Sequence, residues 1–166
     1  MNAKDDCDNT ALIKATWNGR TECLQVLPDA GADMNAKNER GRTALMYAAY
    51  YGHTECLKML IDKGADMNAS DKCGDTALME AARYGHTECL QVLIEQGADV
   101  NAKNERGRTA LMEAAWCGHT KCLKMLPDAG ADVSAKDEDG RTALMEAARL
   151  DYTECLQVLI DAGARK

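Results

Sequence analysis

The chain has 166 residues, of which 28% are charged, and its formal net charge is −7. This acidic balance argues against nucleic acid as a partner, because a nucleic-acid-binding surface needs basic side chains that displace phosphate counterions. The longest apolar run, residues 44–51, is far shorter than the roughly 20 residues that a membrane-spanning helix needs. We therefore expect a protein that binds neither nucleic acid nor a membrane.

A unit of 33 residues recurs five times without a break and organises the whole chain. Its copies occupy residues 2–34, 35–67, 68–100, 101–133 and 134–166. A fixed period of this length is typical of stacked-repeat proteins. Each unit in such a protein is too small to bury its apolar face alone and shares a core with its neighbours. The sequence therefore predicts one elongated domain over residues 1–166.

The first helix of each repeat is predicted from the second repeat, where the pattern is clearest. Small and apolar residues from Ala44 to Ala49 recur at the spacing of one helix face. Thr43 stands just before them as an N-cap, whose hydroxyl can accept a hydrogen bond from a free backbone N–H group. Gly52 suits the left-handed conformation that ends many helices, which leaves a helix of about two turns.

A second helix is predicted in each repeat, followed by a polar loop. In the second repeat its apolar stripe runs from Cys56 to Leu60, and Gly64 closes it. Pro28 and Pro127 occupy the last turn of this helix in the first and fourth repeats. Because proline lacks the N–H group of a helical hydrogen bond, we expect both residues to end the helix early.

Two sets of small residues are predicted to pack between the repeats. Alanine pairs in the middle of the first helix, such as Ala81 and Ala82, let neighbouring helices approach closely. Equivalent residues of stacked helices lie roughly 8–10 Å apart, beyond the ~7 Å that a disulfide tolerates. The recurring cysteines are therefore expected to be reduced thiols packed as small hydrophobic residues, which indicates a cytoplasmic or nuclear protein: Cys23, Cys56, Cys89, Cys122 and Cys155.

Residues 41–57 read Gly-x-Thr-Ala-Leu-Met-x-Ala-Ala-x-x-Gly-His-x-x-Cys-Leu, and variants of this pattern cover the whole chain. The pattern resembles the ankyrin repeat. The resemblance implies an all-α solenoid of stacked helix-turn-helix units with polar β-turn loop tips, no enzymatic activity, and a concave groove that binds partner proteins. Where the family usually has Thr-Pro-Leu-His, repeats two to five have Thr-Ala-Leu-Met. Methionine packing is therefore predicted to replace the family's histidine at Met46, Met79, Met112 and Met145.

The positions of the seven aromatic residues carry the strongest functional signal. Six of them fall at three positions of the first helix that are neighbours on one helix face, opposite the alanine and leucine stripe. The predicted core therefore contains no aromatic residue. Trp, Tyr and Arg are enriched at binding hot spots. We predict that a partner protein, whose identity the sequence does not give, contacts Trp17, Tyr47, Tyr50, Tyr51, Arg83, Tyr84, Trp116, Arg149 and Leu150.

Charged residues of the loop tips and the groove extend this predicted binding surface. The set comprises Arg40, Arg42, Arg106, Arg108, Glu80 and Glu113. Alternating charges could steer a partner and fix its register. The alternative interpretation is a solvated surface of mixed charge without a binding role.

Two other functional interpretations stay open. Met1 is followed by whole repeats, and alternate repeats are similar to one another, as in an engineered or idealised scaffold that has no evolved ligand. The chain could also be a regulatory ankyrin segment of a larger protein. No cofactor or metal site is predicted, since Cys117, His119 and Cys122 fall short of the four convergent ligands of a zinc site.

The terminal repeats differ from the central ones in ways that predict their role as caps. The first repeat has polar replacements such as Asp8 and Lys14, whereas the fifth is only lightly modified and stops at Arg165 and Lys166. Terminal repeats with a polar outer face keep such arrays from associating. We therefore expect a monomer whose fifth repeat exposes some apolar surface and allows weak end-to-end association.

Overall fold

A computed structural model describes residues 1–164, so Arg165 and Lys166 of the predicted fifth repeat lie outside the described residues. Over residues 1–164 the chain forms ten helices and no strand, which confirms the all-α prediction. None of these helices is long and apolar enough to cross a bilayer. They are α1 (Ala11–Trp17), α2 (Thr21–Val26), α3 (Ala44–Tyr51), α4 (Thr54–Asp62), α5 (Ala77–Tyr84), α6 (Thr87–Glu95), α7 (Ala110–Cys117), α8 (Thr120–Asp128), α9 (Ala143–Arg149) and α10 (Thr153–Asp161).

The ten helices form five antiparallel pairs that stack in chain order. Each odd-numbered helix contacts the next odd-numbered helix, from α1 to α9, and the even-numbered helices do the same from α2 to α10. The apolar core lies between these two layers and continues through all five pairs. Each pair therefore completes its core with side chains from its neighbours.

The predicted helix ends are confirmed in their details. The Thr43 hydroxyl accepts a hydrogen bond from the N–H group of Met46, and the threonines before α1, α5, α7 and α9 make the equivalent bond. Gly52 ends α3 in the left-handed conformation, with φ of 72°. Asp8 and Asp151 replace repeat glycines yet keep positive φ, a conformation that aspartate tolerates better than most residues.

The two prolines have different effects. Helix α2 ends at Val26, before Pro28, as predicted. Helix α8 contains Pro127 and continues to Asp128, so the prediction that Pro127 shortens its helix is wrong. The missing N–H group removes only one bond of the last turn, and the N–H group of Ala129 still donates to the Met125 carbonyl at 3.2 Å.

The core follows the predicted leucine and alanine stripes, with two corrections. Tyr47 is only 6% exposed and belongs to the core, so the prediction of a core without aromatic residues is wrong. Its hydroxyl accepts a hydrogen bond of 2.9 Å from Asn38, which satisfies the polar end of the ring. Cys23 is exposed, unlike the four equivalent buried cysteines, because no helix pair precedes it within the described residues.

Methionine packing replaces the family's histidine in three of the four repeats where we predicted it. Met46, Met79 and Met112 are at most 2% exposed, whereas Met145 is 44% exposed. Within residues 1–164 no helix pair covers the outer side of α9, so the Met145 side chain has no following repeat to pack against. The prediction that the fifth repeat exposes apolar surface is therefore confirmed.

Replacing Gly85 with alanine is expected to lower the free energy of unfolding by about 2 kcal/mol, against about 1 kcal/mol for Gly97→Ala. Both glycines have positive φ, near 72° and 88°, so both variants are strained. Only at Gly85 would the added Cβ meet another side chain, at 2.6 Å from Nδ1 of His119. Urea unfolding followed by circular dichroism measures the difference, and equal losses would contradict the role of this glycine–histidine contact.

Candidate functional site

Five aromatic side chains form a continuous cluster across the first three helix pairs. The Trp17 ring stacks on the Tyr47 ring with centroids 5.2 Å apart and planes 7° apart. Tyr51 lies 6.1 Å from Trp17, and Tyr50 contacts both Tyr51 at 4.7 Å and Tyr84 at 4.3 Å. Stacked and edge-on ring pairs at such distances stabilise one another beyond their area of contact. We call these residues the aromatic cluster.

The aromatic residues differ in how much of each ring solvent reaches. Tyr47 is buried because Trp17 of the preceding repeat covers it, and its direct contact with a partner stays a prediction. Tyr50 is half-buried. Four rings remain accessible along the outward surface of α1, α3, α5, α7 and α9, which we call the first-helix face: Trp17 (42%), Tyr51 (38%), Tyr84 (41%) and Trp116 (39%).

Arg83 is the centre of an ion-pair network beside the aromatic cluster. Its guanidinium group donates to Asp75 at 3.0 Å, to Glu80 at 3.3 Å and to Glu113 at 3.0 Å. Burial alone would lower the pKa of Arg83, but these three carboxylates, Glu113 most strongly, raise it well above its ordinary value. Arg83 therefore stays charged and links the third repeat to the fourth.

Arg42 and Arg108 extend the network in both directions. Arg42 donates to Asp71 at 3.3 Å and to Glu80 at 3.0 Å, which joins the second repeat to the third. Arg108 donates to Glu113 at 2.8 Å. Three guanidinium groups thus pair with four carboxylates within the protein. Their first role is to hold the stack together, and their direct contact with a partner stays a prediction.

Glu80 and Glu113 are buried in this network, at 1% and 4% exposure. The interpretation of these glutamates as part of a solvated surface is therefore wrong, because loop aspartates and arginines of neighbouring repeats enclose them. Burial raises the pKa of Glu80 above its ordinary value despite the attraction of Arg83 and Arg42. Its Oε2 atom has no hydrogen-bond partner among the described residues.

The free energy of unfolding of Glu80→Gln minus that of the wild type is expected to increase as pH rises above about 4.5. The folded state binds the Glu80 proton more tightly than the unfolded state, because burial raises its pKa from 4.5. Glu80 thus favours folding at low pH, and this contribution is lost as pH rises through the folded pKa. Urea unfolding at several pH values measures the effect. Glu55→Gln, at an exposed position, is the control, and a pH-independent difference for Glu80→Gln would contradict the prediction.

Trp116 lies apart from the aromatic cluster, and two arginines contact its ring. The Arg149 guanidinium carbon is 4.5 Å from the Trp116 ring centre, and that of Arg108 is 5.0 Å away. A guanidinium group over an indole face is attracted by the negative face of the ring. The sequence predicted all three residues for the binding surface, and the structure brings them together.

A cleft of about 490 Å³ adjoins Trp116 on the first-helix face. Its walls come from the third and fourth repeats, and it is the place where the predicted aromatic, arginine and loop-tip residues meet. The lining residues are Cys73, Asp75, Arg83, Asn104, Glu105, Arg106, Arg108, Glu113 and Trp116. Of the remaining predicted residues, Arg40 and Arg149 are exposed and Leu150 is half-buried, outside this cleft.

Sequence reasoning missed Asp71 and Asp75, which complete the ion-pair network. Each comes from a loop of the third repeat, and each faces a residue of an adjacent repeat: Asp71 faces Arg42, and Asp75 faces Asn104 at 2.8 Å. An alignment of the repeats could have found them. In that alignment, residue 42 or 75 of one repeat has a complementary partner, residue 71 or 104, at a different position of the next repeat.

The family profile described as "Ankyrin repeats (3 copies)" matches residues 1–71, 65–137 and 103–166, which together span the chain. The chain is an ankyrin-repeat protein. No curated protein matches it significantly. The predicted helical solenoid is thereby confirmed, and ankyrin repeats are in general non-enzymatic protein–protein interaction modules.

Proposed function

We propose that this ankyrin-repeat protein binds a partner protein reversibly through its first-helix face. One observation supports the proposal above all others: four large aromatic rings, each about two-fifths exposed, lie along this face from the first repeat to the fourth. Exposed aromatic side chains of this size bury much apolar area when a partner covers them, and they dominate the energetics of many interfaces. The first-helix face is therefore the surface where we expect affinity to be concentrated.

The rings are also held in place before a partner arrives. Trp17 stacks on buried Tyr47, Tyr84 contacts Tyr50, and the guanidinium groups of Arg108 and Arg149 lie over the Trp116 ring. Side chains that are already ordered lose little conformational entropy on binding. These contacts support a rigid docking surface for a folded protein or a peptide.

Arginines at the edge of the face have a different role from those in the network. Arg40 and Arg106 are exposed at the loop tips, whereas Arg42, Arg83 and Arg108 are committed to internal carboxylates. Exposed charges at the rim of an interface mainly affect the association rate and its salt dependence. The eight free thiols support a reducing compartment such as the cytoplasm as the place of action.

Trp116→Ala and Tyr84→Ala are each expected to weaken partner binding by about 2 kcal/mol, or roughly 30-fold in Kd. Proteins retained from a cytosolic lysate by the wild-type chain are identified by mass spectrometry and then titrated against each variant. Tyr152→Ala is the matched control, since Tyr152 is 37% exposed but stands at the turn before α10, off the first-helix face. A partner that both variants bind as tightly as the control does would contradict the proposal. A chain that retains nothing would favour the scaffold without an evolved ligand.

A further inference from the structure

We propose that the two ends of this protein are complementary, so that the fifth repeat of one copy stacks on the first repeat of another, head to tail. The inference does not depend on the proposed function, because it uses different surfaces. We call the outer sides of α9 and α10 the carboxyl-terminal face and the outer sides of α1 and α2 the amino-terminal face. The four helices that define these faces all lie within residues 1–164.

Within residues 1–164, the carboxyl-terminal face exposes the surface that the other repeats bury against the next repeat. Met145 is 44% exposed and Ala148 is exposed, whereas the equivalent residues of the second to fourth repeats are at most 2% exposed. In the first repeat the equivalent residues, Ile13 and Thr16, are fully buried. These positions therefore face the following repeat, and in the fifth repeat they keep the small and apolar residue types of an internal junction.

The amino-terminal face exposes the positions that the other repeats bury on the side of the preceding repeat. Ala11 and Cys23 are exposed and Val26 is 63% exposed. The residues equivalent to Ala11 and Cys23 in the other four repeats are at most 2% exposed, the fifth repeat included. These positions therefore face the preceding repeat. The two ends thus carry the two halves of one type of junction.

Backbone hydrogen bonds define the register in which the two ends fit. At every internal junction an N–H group of one loop tip donates to a carbonyl of the preceding tip, from Glu39 to Cys7 at 3.1 Å through Glu138 to Arg106 at 3.0 Å. The next bond of this series would run from the Asp6 N–H group of a second copy to the Asp139 carbonyl. Neither group has a hydrogen-bond partner within residues 1–164.

Side chains at the ends repeat the internal pairing as well. Lys4 donates to the Lys37 carbonyl at 2.9 Å and Lys103 donates to the Lys136 carbonyl at 3.0 Å, so the Lys136 ammonium group would donate to the Lys4 carbonyl of the second copy. The Arg42–Asp71 ion pair joins the second and third repeats. At the proposed junction the equivalent residues are Arg141 and Asp5, which also have opposite charges. Asp5 would exchange its exposed partner Lys14 for Arg141.

Lys14 opposes the contact and limits its strength, because it stands at the repeat position of Glu80 and Glu113. These glutamates pair with Arg42 and Arg83 of the preceding repeats, each at 3.0 Å. At the proposed junction Lys14 would instead face Arg141 and Arg149, and both pairs repel. We therefore expect reversible association that depends on concentration. A head-to-tail contact between unlike faces leaves one free face at each end, so it produces open chains of copies unless the geometry closes a ring.

Sedimentation velocity of the wild-type chain, from about 1 µM to about 500 µM with reductant to keep Cys23 a thiol, tests the proposal by mass action. The average mass is expected to rise from that of one copy to more than that of two. Met145→Glu and Val26→Glu should each remain monomeric, because each variant loses one face. Both positions are exposed, so circular dichroism should show unchanged folding.

An equimolar mixture of the two variants distinguishes unlike faces from like faces. Met145→Glu keeps its amino-terminal face and Val26→Glu keeps its carboxyl-terminal face, so the mixture should form dimers and nothing larger. Tyr84→Glu, on the first-helix face, should associate like the wild type. A wild type that stays monomeric at the highest concentration would overturn the proposal. So would a Val26→Glu variant that dimerises alone, or a Tyr84→Glu variant that no longer associates.

Discussion

Replacing Arg83 with leucine is expected to lower the free energy of unfolding by about 3 kcal/mol. The substitution removes the one cation that Asp75, Glu80 and Glu113 share. Glu80 is almost completely buried, and its remaining partner is Arg42. Removing one partner of a buried ion pair leaves charge without compensation, and this penalty exceeds the small net contribution of the intact pair. Urea unfolding followed by circular dichroism measures the loss.

Arg40→Leu is the matched control for this prediction, because it makes the same change of side chain and of net charge at an exposed loop tip. It should alter the free energy of unfolding by no more than about 0.5 kcal/mol. Similar losses in the two variants would show that net charge matters and that the network does not. A second measurement separates the mechanisms further: the loss in Arg83→Leu should become smaller at acidic pH, where protonation neutralises the carboxylates that the variant leaves unpaired.

The sequence predicted well what depends on a single repeat. The Thr43 cap, the limits of α3 and the left-handed Gly52 all follow from the residues of one unit and from backbone chemistry. The stacked architecture follows from the period alone, because units of this size must share their cores. The threonine cap repeats before all five first helices and the left-handed glycine ends three of them, so the pattern contains the same signal several times.

The errors concern what one repeat places over the next. Helix periodicity correctly placed Tyr47 on the outward face of α3, but Trp17 of the preceding repeat covers its ring. Glu80 likewise lies on the outward side of α5, where Asp71, Arg42 and Arg83 enclose it. Such burial depends on side chains that neighbouring repeats and loops place over a helix. The residues of the helix itself do not predict it.

The structure separates the residues that hold the stack from those available to a partner. Tyr47 lies beneath the exposed ring of Trp17, and Glu80 and Glu113 of the ion-pair network are buried, so the first-helix face contains stabilising contacts as well as accessible rings. The stacking of Trp17 on Tyr47 implies that Trp17→Ala lowers stability as well as binding, which is why Tyr84 and Trp116 are the better positions for testing binding.

Replacing Ala82 with leucine is expected to lower the free energy of unfolding by about 3 kcal/mol. Ala82 is completely buried in α5 and faces the next helix pair, where α5 packs against α7. Three added carbon atoms have no space between these helices, so the third and fourth repeats must move apart. Because stability in a repeat array depends on contacts between neighbours, weakening one central junction should also broaden the unfolding transition in urea.

Ala148 provides the control for Ala82, because it occupies the same position of the repeat in α9 but is exposed. Ala148→Leu should change the free energy of unfolding by less than about 0.5 kcal/mol when unfolding is measured at low micromolar concentration, where the ends of the rod are free. The helix propensity of leucine differs little from that of alanine, so the two variants differ mainly in what covers the new side chain. Equal losses would mean that close packing between repeats does not determine stability at this position. A loss confined to Ala82→Leu would show that the alanine pair sets the spacing of the stack.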